Sequence, residues 1–395
     1  MSEYTTRQIL DMIEANGGPE GLDLSQSDLS EIDLGSDRIQ AELDRVRKDQ
    51  PEVEPPWWSR GFVSGEGGIN LRRANLEGAH LRLAEMQGAD LVGANLEGAR
   101  LMLAQMQESR LRGANLAGAS LRYANLEHAS LRHADLKGAR LSHANLGRAF
   151  LGGVDLKGAD LDGANLEGTF LVEADLSRVD LRNAESIEGI SLYRARLDHT
   201  QLTRDQLGEA VGEERGGEWF EARQTYLALK NNFQELGRYD DARWAYRKER
   251  RMEKRDAWQK TRTALRERRW GGAVGNGLRA ASDQLVELVC DYGEGLSRVL
   301  ASLLLLWLVF ALSYGLIGGV WGPPQETSGG PVRYATRNPL HLLAFSLGAM
   351  TTLQPAGLEA RPTQVMQFLM PIQALLGIVL AGLFGFVLGN RIRRS

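Results

Sequence analysis

From Leu71 to Leu181 every fifth residue is leucine, Met86 and Met106 excepted, and the residue two places before each is nearly always alanine. Twenty-three positions hold this register without a break. A period of five matches neither the roughly 3.6-residue turn of a helix nor the two-residue alternation of a strand, so the backbone has to bend once per repeat. The pattern predicts a solenoid. The stretch Leu81 to Gln87 returns twenty residues later as Leu101 to Gln107 with five of its seven residues unchanged, which predicts four bends per coil and stacks Met86 on Met106.

The register slips by one residue after Leu181 and resumes at Ile187, Leu192, Leu197 and Leu202, where a bulge is expected. Three earlier units at Leu24, Leu29 and Leu34 are out of phase with the main run and separated from it by the charged segment Arg38 to Lys48 and the loop Pro51 to Gly68. They read as a detached first coil capped by the amphipathic stretch Thr6 to Ala15. Phe150 and Phe170, twenty apart, fall on one outer face.

Beyond the ladder the pattern changes twice. Glu218 to Leu236 and Asp240 to Arg269 read as two helices broken at Gly237, and Leu236 to Ala242 followed by Tyr246 is similar to the turn of a tetratricopeptide helix pair. Then come two charge-free runs, Val299 to Trp321 and Thr363 to Asn390, each long enough to cross a hydrocarbon core of about 30 Å. Between them Asn338-Pro339 is a good helix start, an N-cap before a first-turn proline, and Leu340 to Met350 continues as an almost uncharged helix. A turn-rich segment, Thr351 to Gly357, follows. A short apolar helix and a loop between two spans is the outline of a re-entrant pore loop.

Two resemblances sharpen these elements. Ala74-Asn75-Leu76, Ala94-Asn95-Leu96, Ala114-Asn115-Leu116, Ala134-Asp135-Leu136 and Ala164-Asn165-Leu166 resemble the A-[DN]-L-x-x unit of the pentapeptide-repeat family over about a third of the chain. That resemblance implies a square, right-handed parallel β-helix with leucine and alanine inside and the other three positions facing solvent. About seven coils at roughly 4.8 Å each make a rod about 30–35 Å long. Phe345 to Thr352 resembles the pore helix and filter threonines of the two-transmembrane potassium-channel-like superfamily, and Leu375 to Phe384 its inner helix, with hinge positions at Gly377 and Gly382. The resemblance implies a filter or constriction built from Thr351, Thr352, Leu353, Gln354 and Gly357, with Glu359 as an acidic ring at the outer mouth and Arg361 opposing it. Thr352 is followed by Leu-Gln-Pro-Ala-Gly where that family has V-G-Y-G, so potassium selectivity does not carry over.

The domain organisation expected is therefore a cap helix and first coil (1–48), a loop (49–68), the β-helix (69–205), a basic helical linker (206–295), a two-transmembrane α-helical pore-loop domain (296–390) and a basic tail (391–395). Charge sets the orientation. Residues 1 to 30 lack the apolar stretch of a signal peptide, the lone Cys290 fits a reducing compartment, and Arg391, Arg393 and Arg394 follow the second span directly. Both termini are thus expected on the cytoplasmic side of a bacterial inner membrane. From Arg243 to Arg269 twelve Lys/Arg face four Asp/Glu, close enough to the first span to suggest membrane lipids as a partner, against a plain solvated helix face or nucleic acid.

Candidate chemistry adds little. His128, His133 and His143 lie on the coil exterior with no two in one stacked column, His143 falling beneath Tyr123, so no metal site is expected. There is no phosphate loop and no nucleophile motif, and neither an enzyme nor a cofactor is expected. Gyrase-protecting members of the repeat family act as DNA mimics, which requires an acidic rod. Between Leu71 and Asp205 seventeen Lys/Arg balance eighteen Asp/Glu, which argues against that role and against a nucleic-acid partner. The sequence reads as an ion channel, cation-conducting and homo-oligomeric, a tetramer by resemblance, with the β-helix as a regulatory or interaction module for an unidentified cytoplasmic protein or ligand. The alternative is a membrane-anchored interaction scaffold on a non-conducting, channel-like anchor.

Overall fold

The computed structural model describes residues 4–15, 23–30, 32–33, 69–293, 295–327, 330–351, 353 and 356–392. The chain divides after Asp256 into two compact units.

The first unit is built on the ladder. Each five-residue side gives its backbone groups to the coil above: the Asn95 N–H donates to the Ala74 carbonyl at 2.9 Å, and the Leu76 N–H donates to the Asn95 carbonyl at 2.6 Å. The parallel bridges Asn75↔Asn95, Asn95↔Asn115 and their equivalents repeat this every twenty residues. Corners are closed by four-residue turns in which, for example, the Ala79 N–H reaches the Leu76 carbonyl at 3.1 Å. The second central residue of that turn, Gly78, has φ +65°, the type II pattern. The leucines and alanines point inward and are buried. The Asn/Asp before each leucine works outside the tube: the Asn95 side-chain amide donates to Asn75 Oδ1 at 3.0 Å and its Oδ1 accepts the Glu97 N–H at 3.3 Å, so one side chain joins two coils and caps a corner.

The slip after Leu181 is a single added residue, for the bridge spacing changes from twenty at Asp155↔Asp175 to twenty-one at Asn165↔Ser186 and Asp180↔Gln201. Residues of the first coil pair directly with the main run at Asp23↔Asn70, Asp28↔Asn75 and Asp33↔His80. Helix α1 (Thr6–Ala15) places Ile9 in the same core. Leu34, the segment Arg38 to Lys48 and the loop Pro51 to Gly68 lie outside the described residues.

The far end of the rod is closed by α2 (Arg204–Leu207), α3 (Gly212–Gly216), α4 (Trp219–Glu235) and α5 (Tyr239–Arg266). An open last coil leaves carbonyls and amides unpaired, and these helices satisfy them. The Gln206 side chain donates to the Leu181 and Arg182 carbonyls at 2.7 and 3.0 Å, Asn232 donates to the Thr200 carbonyl at 2.9 Å, and Arg238 donates to that of Leu202. The buried Glu213 accepts the Tyr193 N–H at 2.6 Å, and burial pushes its carboxyl above the usual range. The basic run of α5 is engaged locally: Lys248 and Arg255 pair with Glu214 at 2.9 and 3.2 Å, and Lys230 of α4 pairs with Glu249 at 3.1 Å.

The second unit holds α6 (Trp270–Cys290), a single 3₁₀ turn (Asp291–Gly293), α7 (Leu296–Ile317), α8 (Pro339–Thr351) and α9 (Gln364–Ile392). The sequence expectation ran the first span to Trp321; the helix ends at Ile317 because Gly318 turns left-handed, φ +62°. Val320–Trp321 (β1) instead pairs antiparallel with Glu359–Ala360 (β4), beside a hairpin of Gln325–Thr327 (β2) and Gly330–Val332 (β3). These strands, and α6 as a separate helix, were not legible in the hydrophobic pattern.

Two stability predictions follow from the rod. Gly118 has φ +66° with open space where a Cβ would stand, so Gly118→Ala isolates backbone strain and should cost about 1 kcal/mol, read by thermal melts; an unchanged melt would refute the left-handed corner. Burial pushes Asp175 up, but hydrogen bonds from Lys157 and Ser177 and the charge of Arg196 outweigh it and hold the carboxyl at about 2. A depressed carboxyl adds stability that is present above its ordinary pKa of 3.8 and is lost as pH falls toward about 2. Asp175→Asn should therefore remove roughly 2 kcal/mol at neutral pH and flatten the acid limb of the melting curve over that window, whereas a parallel acid limb would exclude Asp175 as its source.

Candidate functional site

The site that the fold singles out is the short apolar helix α8, packed against both long helices α7 and α9. Its start is set locally: Asn338 Oδ1 accepts the Leu340 N–H at 2.9 Å, and Pro339 occupies a first-turn position that needs no donor. Its seat is set by a buried polar chain. The Tyr314 hydroxyl of α7 donates to Gln373 Oε1 of α9 at 2.6 Å. The Gln373 amide donates to the Ser346 carbonyl and hydroxyl at 3.0 and 2.8 Å. The Ser346 hydroxyl donates to the Trp307 carbonyl at 2.8 Å, and the Trp307 indole N–H donates to the Leu343 carbonyl at 2.7 Å. Tyr314, Ser346 and Gln373 are all fully buried. Around them Tyr314 meets Phe345 edge-on, ring centres 5.3 Å apart, within a cluster that includes Val320, Leu342, Leu358 and Met366.

Sequence reasoning missed these four polar residues. The signal was present: a tyrosine and a glutamine inside otherwise apolar runs are costly unless partnered, which marks them for a role.

The residues read as filter and hinge fall around the end of α8. The Thr351 hydroxyl donates back to the Leu347 carbonyl of its own helix at 2.9 Å. The Leu353 N–H closes on the Gly348 carbonyl at 2.9 Å and its side chain is 71% exposed. Thr352 and Gln354 lie outside the described residues. Gly357 takes φ +78° in the turn leading to β4. Glu359 is ion-paired with Arg333, whose hydrogen bond and charge hold the carboxyl below its usual range. Arg361 lies over the Trp321 ring at 4.8 Å and donates to the Gly318 carbonyl at 3.1 Å. A Cβ on Gly377 would stand 2.5 Å from Met350 Cγ and 2.7 Å from its carbonyl oxygen, so this glycine lets α9 approach the end of α8; Gly382 has open space around it.

The two long helices expose most of their apolar surface. Only 17% of the most apolar window of each is buried, and Leu305, Leu312 and Leu316 of α7 and Phe368, Leu375 and Phe386 of α9 are among the exposed side chains. Both are long and apolar enough to cross a membrane. On the rod, Tyr123 and His143 stack at 4.8 Å and Phe150 and Phe170 at 5.0 Å. Among the described residues no group of three or more His, Cys, Asp or Glu is placed to hold a metal.

The repeating rod with its internal leucine column defines the class of protein, and comparison with known proteins agrees. The family profile described as pentapeptide repeats matches in eight copies across residues 68–101, 99–138, 134–171 and 159–198. Residues 68–198 are thus a pentapeptide-repeat β-helix. Among solved structures it is similar to a pentapeptide repeat protein from the Arabidopsis thaliana thylakoid lumen, with 33% identity over 25% of this chain and 68% of that one and a TM-score of 0.24. It is also similar to HetL, a pentapeptide repeat protein involved in heterocyst differentiation regulation from the cyanobacterium Nostoc, with 23% identity, 51% and 90% coverage and a TM-score of 0.20. Rfr23 from the cyanobacterium Cyanothece is 27% identical over 43% of this chain and 94% of its own, with a TM-score of 0.20. No curated protein sequence matches the chain.

The buried chain yields its own test. Gln373→Leu should leave the Tyr314 and Ser346 hydroxyls without their partner and cost about 1–3 kcal/mol, seen as a lower melting temperature of the full chain in detergent. Melting at the wild-type temperature would show that Gln373 does not hold α8 in place.

Proposed function

We propose that the second unit is the membrane part of a homo-oligomeric, cation-conducting channel, and that the β-helix is its cytoplasmic regulatory or interaction module. The observation that carries the reading is the pairing of two long, outwardly apolar helices with a short apolar helix pinned between them by the Tyr314–Gln373–Ser346–Trp307 chain. A core helix of a water-soluble domain buries most of such a window. Leaving a leucine side chain in water forfeits about 1.5–3 kcal/mol each, so these faces call for lipid or further copies of the chain. A helix of thirteen residues, Pro339–Thr351, is too short to span a bilayer, but it suits a re-entrant element. Its carbonyl end carries partial negative charge, which favours cations at the Thr351 to Gly357 segment.

Self-association has support in α6. Val274, Leu278, Leu285 and Leu288 are exposed at four- and seven-residue intervals closed by a three, the spacing of a coiled-coil seam, while Ala273, Ala280 and Cys290 are buried. By the channel resemblance the number of copies is four, with both termini cytoplasmic.

A second reading, the membrane-anchored scaffold, is favoured by one feature. Thr351 bonds its own helix and Glu359 is neutralised by Arg333, so two polar groups assigned to the pore are engaged elsewhere.

Conduction separates the two. Purified full-length protein in planar bilayers should show unitary cation currents, and Thr352→Cys should make them sensitive to thiol reagents added from the outer side. Silence under voltage, tension, pH change and added cytosol would leave the scaffold reading; currents indifferent to the reagent would move the pore away from Thr352.

A further inference from the structure

Charge on the rod is balanced in total but not in place. Eleven of its seventeen Lys/Arg fall between Leu71 and Ala149 against seven Asp/Glu, whereas Phe150 to Asp205 carries six against eleven. At several places on the rod unlike charges answer one another from rung to rung. Lys137 reaches Asp155 at 3.4 Å, and Asp175 is met by Lys157 at 2.7 Å and Arg196 at 3.2 Å. One face in the basic half gathers four arginines instead.

There a groove of about 610 Å³ is lined by Arg72, Arg110, Arg112, Arg132, Ser130 and His133. Beside it the Asp90 carboxylate is shared by Arg72 at 3.1 Å and Arg110 at 3.5 Å, which orients both guanidiniums, while the lining itself carries four arginines and no carboxylate. Arg112 and Arg132 occupy the same column on successive rungs, about 4.8 Å apart in backbone spacing, and neither guanidinium has an ion pair or hydrogen bond among the described residues. Like charges in directly adjacent positions repel. The next rung down is Gly152, where a Cβ would stand 3.9 Å from Arg132 Nε, and the small Val92 takes the rung between Arg72 and Arg112, so the floor stays shallow while arginines form the walls. Below His133 sits Gly153, where any Cβ would meet the imidazole Nδ1 at 2.4 Å, so the glycine leaves room for the ring at the groove's edge.

A stack of guanidiniums without counter-charge, presenting planar forks along one line with a hydroxyl and an imidazole beside them, is the chemistry that holds multivalent oxyanions in bidentate hydrogen bonds. The volume falls in the range of small-ligand sites, roughly 300–1,000 Å³. We propose that this groove binds a small solute bearing two or more phosphate groups, with Arg112 and Arg132 clamping it and Arg72 and Arg110, positioned by Asp90, completing the cage. This goes beyond the channel reading, since binding is read without any current. It assigns the input of the rod a chemical class.

The test uses the full chain in nanodiscs of phosphatidylcholine, titrated calorimetrically with inorganic tripolyphosphate. Saturable binding at one site per chain is expected, weakened by at least about tenfold in the Arg112→Gln/Arg132→Gln pair, because both clamping guanidiniums and their charged hydrogen bonds are lost. Arg178→Gln, on the same rod but away from the groove, should bind as wild type, and circular dichroism of all variants should be unchanged. Absence of saturable binding overturns the proposal, as does an equal loss in Arg178→Gln, which would reduce the effect to overall charge. A single-stranded oligonucleotide that binds more tightly and is not displaced by tripolyphosphate would also overturn it, in favour of a nucleic-acid surface.

Discussion

Each coil of the rod depends on the coil twenty residues further on, and the whole first unit follows from that dependence. A five-residue side is too short to pair with itself, so its N–H and C=O groups are satisfied only when the next coil lies directly above in register. The tube that results is so narrow that one large and one small side chain per side fill it. That is why leucine and alanine recur at fixed positions and why methionine replaces leucine only where a second methionine stacks on it, as Met86 and Met106 do. Repeats of this kind gain stability from neighbours, so the ends carry a special burden. Helix α1 with Ile9 covers one end, and Gln206, Asn232 and Arg238 cap carbonyls at the other.

The same dependence explains what was legible in the sequence. Inside the ladder every contact of consequence is separated by a fixed twenty residues, so periodicity alone specifies the partners of Leu96, Asn115 or Phe150 and locates the single-residue slip after Leu181. Helix boundaries were also readable where local chemistry decides them, as at Asn338-Pro339 and Gly237. They failed where tertiary pairing intervened: Val320 and Trp321 look like the end of an apolar span, yet they leave it at Gly318 to pair with Glu359 and Ala360, forty residues away. The Tyr314–Gln373–Ser346–Trp307 chain joins residues 59, 27 and 39 positions apart with no repeat to announce them. Hydropathy could show two polar residues in apolar runs, but not that they meet.

Charge was legible only as a sum. The run Arg243 to Arg269 looks like an exposed basic surface, whereas Lys248 and Arg255 converge on the largely buried Glu214, so part of its charge is committed to holding α3 and α4 against α5. Conversely the rod looks neutral while its four-sided geometry gathers Arg72, Arg110, Arg112 and Arg132 on one face. A solenoid sorts residues by position modulo twenty, so a balanced composition is compatible with strongly unbalanced faces. Net charge therefore describes the whole surface of a solenoid, and position modulo twenty describes its faces.

The two units solve one physical problem in opposite ways. In the rod, polar backbone lies at the rungs, and each N–H or C=O is answered by its complement in the neighbouring coil, so the outward side chains are not needed to satisfy it. Between α7, α8 and α9 the backbone is satisfied within each helix, so contacts between helices are left to side chains. There a single glutamine accepts from one helix and donates to another, while Gly377 removes the side chain that would keep α9 from Met350. Such a junction has few equivalent arrangements. A shift of α8 by one residue would take Ser346 away from Gln373 and Trp307 together, leaving buried donors and acceptors unmatched in a setting where each unmatched group is costly. The rod is thus specified by repetition and the helical unit by a small number of unrepeated polar contacts, which gives α8 a defined position and orientation between two helices whose outer faces are mostly apolar.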